Sequence, residues 1–147
     1  MKNSDLIIRQ LKPSEYDVLI DVWTRSSLPF KPEGRDTKEN ILDQLKINNN
    51  RFFVAVVNNE LVGAIIASHN GRKGWINRLA VLPEFREKGI AAALIKKSEE
   101  FFLSNNIKIF ACLIEDWNEQ SMRYFLNKDY TEHKDIIYFT KKIGPEI

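Results

Sequence analysis

The sequence has little of what would place a chain in a specialised class. One cysteine in 147 residues allows no disulfide within the chain, which points to a reducing compartment. Charge of one sign is also missing. The 22 Lys and Arg against 20 Asp and Glu leave a net +2, which gives no support to a nucleic-acid partner held by bulk electrostatics. No apolar run approaches the ~20 residues of a membrane span, so no membrane partner is expected. No repeat or low-complexity segment is present. The opening Met1-Lys2-Asn3-Ser4-Asp5 leads into an apolar strand rather than a signal-type hydrophobic region. A chain of this length buries roughly 68–70% of its unfolded surface, so it needs no structural metal to fold. A cytoplasmic, single-domain protein spanning residues 1–147 is the expectation.

What is present alternates in type. Residues 7–11 read as a short strand. Ser14 and Asp17 stand at capping-box spacing before a helix with Val18, Leu19, Val22 and Trp23 on one face. Pro29 and Pro32 end that helix, and Phe30 sits in the loop that follows. Asp36 is the expected N-cap of a second helix with Ile41, Leu42 and Leu45 inward. Residues 52–57 and 61–67 form a strand pair joined by Asn58-Asn59-Glu60, and Asn70-Gly71 turns into a further strand over 75–81. A helix is expected over 89–103 and another over 118–127. Residues 107–114 are apolar at nearly every position, as a central strand covered on both faces would be. Residues 136–139 read as a late strand. The sum is a mixed α/β sheet with helices on both sides.

One stretch carries chemistry: Leu79-Ala80-Val81-Leu82-Pro83-Glu84-Phe85-Arg86-Glu87-Lys88-Gly89-Ile90-Ala91. A strand ends, a basic loop follows, and a helix opens at a glycine followed by small residues. A helix start offers free N–H groups and a positive dipole end, and Gly with Ala lets a ligand approach the backbone. That is the physical recipe for a pyrophosphate site. Neither GxxxxGK[ST] nor GxGxxG is present, so this is not one of the common nucleotide loops.

The stretch closely resembles motif A of the GNAT superfamily of acetyl-CoA-dependent N-acetyltransferases. Arg86, Gly89 and Ala91 meet its [Q/R]-x-x-G-x-[G/A] pattern. The segment from Asn118 through Ser121, Tyr124 and Phe125 to Tyr130 is similar to the family's second element, and the order of elements fits over nearly the whole chain. The resemblance implies a fold whose two central parallel strands, here 75–81 and 107–114, splay apart to admit the pantetheine arm. Main-chain groups of Leu79, Ala80 and Val81 would pair with that arm, and the Val81 N–H would stabilise the oxyanion. Arg86, Glu87, Lys88, Gly89, Ile90 and Ala91 would hold the pyrophosphate, with Asn118, Ser121 and Phe125 along the same cosubstrate. Asn118 reads equally as a helix N-cap. The implied activity is acetyl transfer from acetyl-CoA to a primary amine by direct attack in a ternary complex, with no metal, in a monomer or homodimer.

The sequence departs from the family at the proton-transfer positions. Phe125 stands where many members place the tyrosine that protonates the departing thiolate, and Asp129 replaces a glycine. Tyr124 is adjacent, but one helical residue turns it ~100° away. It is the candidate acid, with packing the bland alternative. An inactive or weak acyl-CoA-binding domain is the competing reading. For the base, Glu115 at the mouth of the splay is the candidate, ahead of His133 and His69. Asn77, Arg78 and Leu113 occupy positions where relatives carry Glu. At pH 7 an α-amine of pKa about 8 is roughly 10% neutral and a lysine amine roughly 0.04%. A site without a dedicated base therefore favours low-pKa amines. Phe30, Arg35, Asp36 and Tyr138 are the candidate acceptor contacts, with Arg35 and Asp36 equally readable as a loop-fixing pair. Trp75 and Trp117 read as core aromatics, and Cys112 as an inert core residue.

Overall fold

The computed structural model describes residues 5–147. Strand β1 (Leu6–Gln10) leads through a 3-10 turn (Pro13–Glu15) into helix α1 (Tyr16–Arg25) and then α2 (Lys38–Leu45). Strands β2 (Asn50–Val57), β3 (Glu60–His69) and β4 (Gly74–Val81) follow, then α3 (Ile90–Ser104), β5 (Phe110–Cys112) and α4 (Glu119–Asn127). The sheet runs β1-β2-β3-β4-β5; only the β4–β5 pair is parallel. β2 is buried at its last six residues and β3 at nearly every residue from Leu61 to Ala67, so both of their faces are covered. α1 and α2 pack on one side of the sheet and α3 on the other.

The local chemistry explains the connections. Asn58 (φ 49°) and Asn59 (φ 66°) both take the left-handed conformation that a two-residue hairpin requires. Val57 pairs with Glu60, which is therefore the first residue of β3 rather than part of the turn. After β3 the Asn70 Oδ1 accepts from the N–H groups of Arg72 and Lys73 at 3.0 and 2.9 Å, which closes the turn.

Four expectations need correction. The cap before α1 comes from Glu15, not Ser14 and Asp17. Its carboxylate accepts from the Lys12 N–H at 2.8 Å and from both Arg9 nitrogens at 2.9 and 2.8 Å. The Arg9 bonds hold the Glu15 carboxyl below its ordinary range. Thr37, not Asp36, caps α2, because its hydroxyl accepts from the Asn40 N–H at 3.2 Å while Asp36 is drawn inward. The central strand expected over 107–114 shrinks to three residues at the edge of the described sheet, with Ile109 and Leu113 exposed. The late strand over 136–139 does not form: these residues are extended but outside the sheet, and exposed.

Candidate active site

Strand β4 is built to leave an edge open. It pairs with β5 from Gly74 to Ile76, matched to Phe110 through Cys112, and the pairing then stops. Residues 77–81 keep β3 on one side and have no strand on the other among the described residues. The Leu82 N–H donates to the Val62 carbonyl at 2.9 Å. Antiparallel alternation therefore turns the Val81 N–H and carbonyl away from β3, into the gap. By the same alternation Ala80, paired with Ala64, gives its main-chain groups to β3. The expectation that Ala80 is free for a ligand is corrected to Val81, with Leu79 beside it.

Beyond the gap the backbone forms an anion cradle. Arg86 is the last residue of the loop with a backbone acceptor, donating to Pro83 at 3.3 Å, and the first helical bond runs from Ala93 to Gly89 at 3.1 Å. Between them the N–H groups of residues 87–92 have no hydrogen-bond acceptor among the described residues. Glu87 (φ 63°) and Gly89 (φ 81°) are left-handed on either side of Lys88, and that alternation curls successive N–H groups into a concave nest. Residues 86–89 are exposed, so the nest is open. The Arg86 side chain does not face it: its Nε donates back to the Val81 carbonyl at 3.1 Å, fixing the loop to the end of β4. Lys88 is the cation left on the rim.

A second cleft of about 480 Å³ opens on the α1–α2 side of the sheet, next to the free part of β4. Arg35, Asn50, Ser68, Asn77, Arg78 and Tyr138 line it, with Asp36 at its base. β4 carries a bulge here. Ala64 pairs with Ala80 but Ile66 pairs with Asn77, so Arg78 and Leu79 together oppose Ile65. Arg78 takes φ 52°, a costly conformation for a residue with a side chain. Three contacts hold it. Its Nη1 lies 2.8 Å from the Asp36 carboxylate, its guanidinium stacks 4.8 Å over the Trp23 ring, and both members of the ion pair are nearly buried. Asp36 also accepts from the Lys31 N–H at 2.6 Å, and the Tyr16 hydroxyl donates to the Asp36 carbonyl at 2.7 Å. Arg35 and Asp36 are thus not the loop-fixing pair; Arg78 and Asp36 are. Sequence reasoning passed over Arg78, and its signal was a lone arginine among the apolar residues of a strand.

The remaining candidates fall as follows. Phe30 is not exposed in its loop but packs on Trp23 with ring centroids 5.8 Å apart. Asn118 caps α4, its Oδ1 accepting from the Ser121 N–H at 3.2 Å. Phe125 is buried and packs edge-on against Tyr124 and Tyr130. Tyr124 lines a crevice between α3 and α4 with Lys96 and Glu99, none of whose lining residues belongs to β4. Burial, and then the Glu99 charge, raises its phenol above the ordinary range. Glu115 is exposed on the turn before α4. His133 is exposed, while His69 fixes a turn, its Nδ1 accepting from the Gly71 N–H at 3.0 Å. The core reading of the two tryptophans is corrected: Trp117 is exposed, and Trp75 is half-buried beneath the Lys73 ammonium at 4.9 Å. Burial pushes the Cys112 thiol from 9.0 up to about 11. Its alkylation at pH 8 is therefore expected about a hundredfold slower in the native chain than in the unfolded one. Comparable rates in buffer and in denaturant would refute this.

Comparisons with known proteins agree with this geometry. A sequence model of the Acetyltransferase (GNAT) family matches residues 16–128. An acetyltransferase of Photorhabdus laumondii is 28% identical over 137 residues, covering 92% of this chain and 94% of its own. An aminoglycoside acetyltransferase from an uncultured soil metagenomic sample, solved with sisomicin, superposes with a TM-score of 0.80 at 17% identity, covering 97% of this chain and 99% of that one. AAC(6')-Iy, solved with the bisubstrate analogue CoA-S-monomethyl-acetylneamine, gives 0.79 at 19% identity, covering 93% of this chain and 98% of that one.

Proposed function

The chain belongs to the GNAT acetyltransferase family, and from that premise we propose that it transfers an acetyl group from acetyl-CoA to a primary amine held in the β4-side cleft. The observation that carries this reading is the continuity of two features. The free edge of β4 at Val81 leads, within a few residues, into the nest of unpaired N–H groups at 87–92. A pantetheine arm fits the first as an added strand, and a pyrophosphate fits the second, with Lys88 adding charge. The Val81 N–H then faces the thioester oxygen, where negative charge grows as the amine attacks.

The proton inventory favours an amine that arrives neutral. Asp36 is the carboxylate at the cleft, and Arg78 and the Lys31 N–H already occupy it. Glu115 is solvated, and buried Phe125 supplies no acid, so the CoA sulfur leaves as a thiolate of ordinary pKa ~8.5. The rate is then set by the neutral fraction of the acceptor. The fixed charges at the cleft are Arg35, Arg78 and Asp36, an excess of one positive. That balance repels the polycationic acceptors of the aminoglycoside enzymes and suits an α-amine bearing a carboxylate.

The test is CoA release from acetyl-CoA with free amino acids, short peptides, alkylamines and sisomicin as acceptors, followed as a pH profile. Turnover is expected with α-amines, with kcat/KM rising about tenfold per pH unit below the acceptor pKa and levelling above it. A preference for sisomicin would overturn the acceptor class. The buried phenylalanine in place of an acid favours one other reading, an acyl-CoA-binding domain without turnover; CoA binding with no release across all acceptors would establish it.

A further inference from the structure

We propose that this chain forms a two-fold dimer in which residues 131–147 of each copy lie along the free β5 edge of the other. This inference is independent of the catalytic reading. The segment after α4 is extended and carries five large apolar residues in the open: Ile136, Ile137, Tyr138, Phe139 and Ile143 are 70%, 75%, 68%, 86% and 88% exposed. Four of these are consecutive. In an extended chain consecutive side chains point to opposite faces, so both faces of the segment are uncovered. Its main chain is uncovered as well. Among the described residues, one backbone hydrogen bond is made within 131–147, from the Ile147 N–H to the Gly144 carbonyl at 3.3 Å. This is a strand without a sheet.

The same chain carries a sheet edge without a strand. β5 pairs only with β4 among the described residues, and Ile109 and Leu113 flank it at 54% and 56% exposure. The two halves do not meet within one copy. The segment leaves α4, passes Tyr138 over Arg35, Asn50 and Ser68 in the cleft, and brings the Glu146 carbonyl against Gly34 in the α1–α2 loop. It is led across the α1–α2 side of its own sheet rather than back along its own β5. Two copies supply each other with the missing halves, and a reciprocal exchange closes as a two-fold pair without leaving a free edge.

The area suffices. The five exposed apolar residues amount to on the order of 600 Å² per copy. Doubled by symmetry, and joined by Ile109 and Leu113, this reaches the lower range of stable interfaces, about 1,200–2,000 Å² in total. Because Tyr138 lines the cleft, the interface would border both acceptor sites.

Sedimentation of the wild-type chain is expected to give twice its 17.2 kDa at micromolar concentration. The double variant Ile137→Asp, Phe139→Asp changes side chains exposed in the single copy, so it should stay folded by circular dichroism and sediment as a monomer. A wild type that is monomeric at about 100 µM, where an interface of this size would associate, overturns the proposal. So does a variant that remains dimeric. A second readout fixes the contact itself. Leu113→Cys combined with Phe139→Cys should give a disulfide-linked species at twice the chain mass. A crosslink formed only within single chains would mean that the segment covers its own β5, which also overturns the exchange.

Discussion

Gly89→Glu is expected to remove measurable binding of CoA and acetyl-CoA while the chain remains folded. The glycine stands at φ 81° at the start of α3, and an added Cβ would meet nothing within 4 Å. Bulk is therefore tolerated, and the left-handed conformation costs a side chain about 1–2 kcal/mol. A carboxylate at a helix start returns some 0.3–1 kcal/mol of that through the dipole. Binding is another matter. The carboxylate would stand in the nest formed by the N–H groups of residues 87–92, where the pyrophosphate is proposed to sit. Like charges about 5 Å apart repel by about 3 kcal/mol at an effective dielectric constant of 20, more than a hundredfold in affinity. Gly89→Ala separates the two effects, since it carries the same backbone cost and no charge; its affinity should stay within about tenfold of wild type. The readout is the thermal shift with CoA. At a hundred times Kd the wild type gains about 2.7 kcal/mol, a shift of roughly 5–11 °C for a chain of this size. A Gly89→Glu chain that keeps this shift would place the pyrophosphate elsewhere.

How far the sequence disclosed this arrangement depended on the range of the interactions involved. The hairpin at Asn58-Asn59 and the glycine-opened α3 were readable because each rests on the local conformational preference of one or two residues. The order of elements, and with it the donor side of the site, followed from hydrophobic periodicity. The acceptor side was not readable in the same way. Asp36 has good N-cap chemistry, and nothing local says that it turns inward to an arginine 42 positions away. That pairing depends on a bulge in β4, which is fixed by the register with β3 rather than by any signal within residues 74–81. The apolar runs at 107–114 and 136–139 were overread for a related reason. Apolar composition reports that a segment wants cover, not that its own chain supplies it. Ile109, Leu113 and residues 136–139 are the places where that cover is lacking within one copy.

The same Asp36–Arg78 pair is where a single substitution should cost the fold most. Asp36→Asn keeps the shape of the side chain and an oxygen for the Lys31 N–H, which Asp36 holds at 2.6 Å. It removes the charge opposite Arg78, whose side chain is only 15% exposed. A nearly buried guanidinium left without a counter-charge costs about 3–5 kcal/mol. At the lower figure Tm falls by roughly 6–12 °C. Arg78→Met strands the carboxylate instead and should cost a similar amount. It also leaves the left-handed bulge residue with neither the ion pair nor the stacking over Trp23 at 4.8 Å. The double variant Asp36→Asn, Arg78→Met buries no unmatched charge, so its loss should be well below the sum of the two single losses. Urea denaturation of the four proteins measures this coupling, and additive losses would mean that the pair contributes nothing beyond its separate contacts. The variants also divide the two halves of the site. The pair ties the α1–α2 loop to β4 on the acceptor side, whereas the 87–92 nest lies at the start of α3. Asp36→Asn is therefore expected to raise the acceptor KM while leaving the affinity for CoA within about twofold, since the substituted group lies outside the nest. A loss of CoA affinity equal to the loss of acceptor binding would show that the two sites are not separately built.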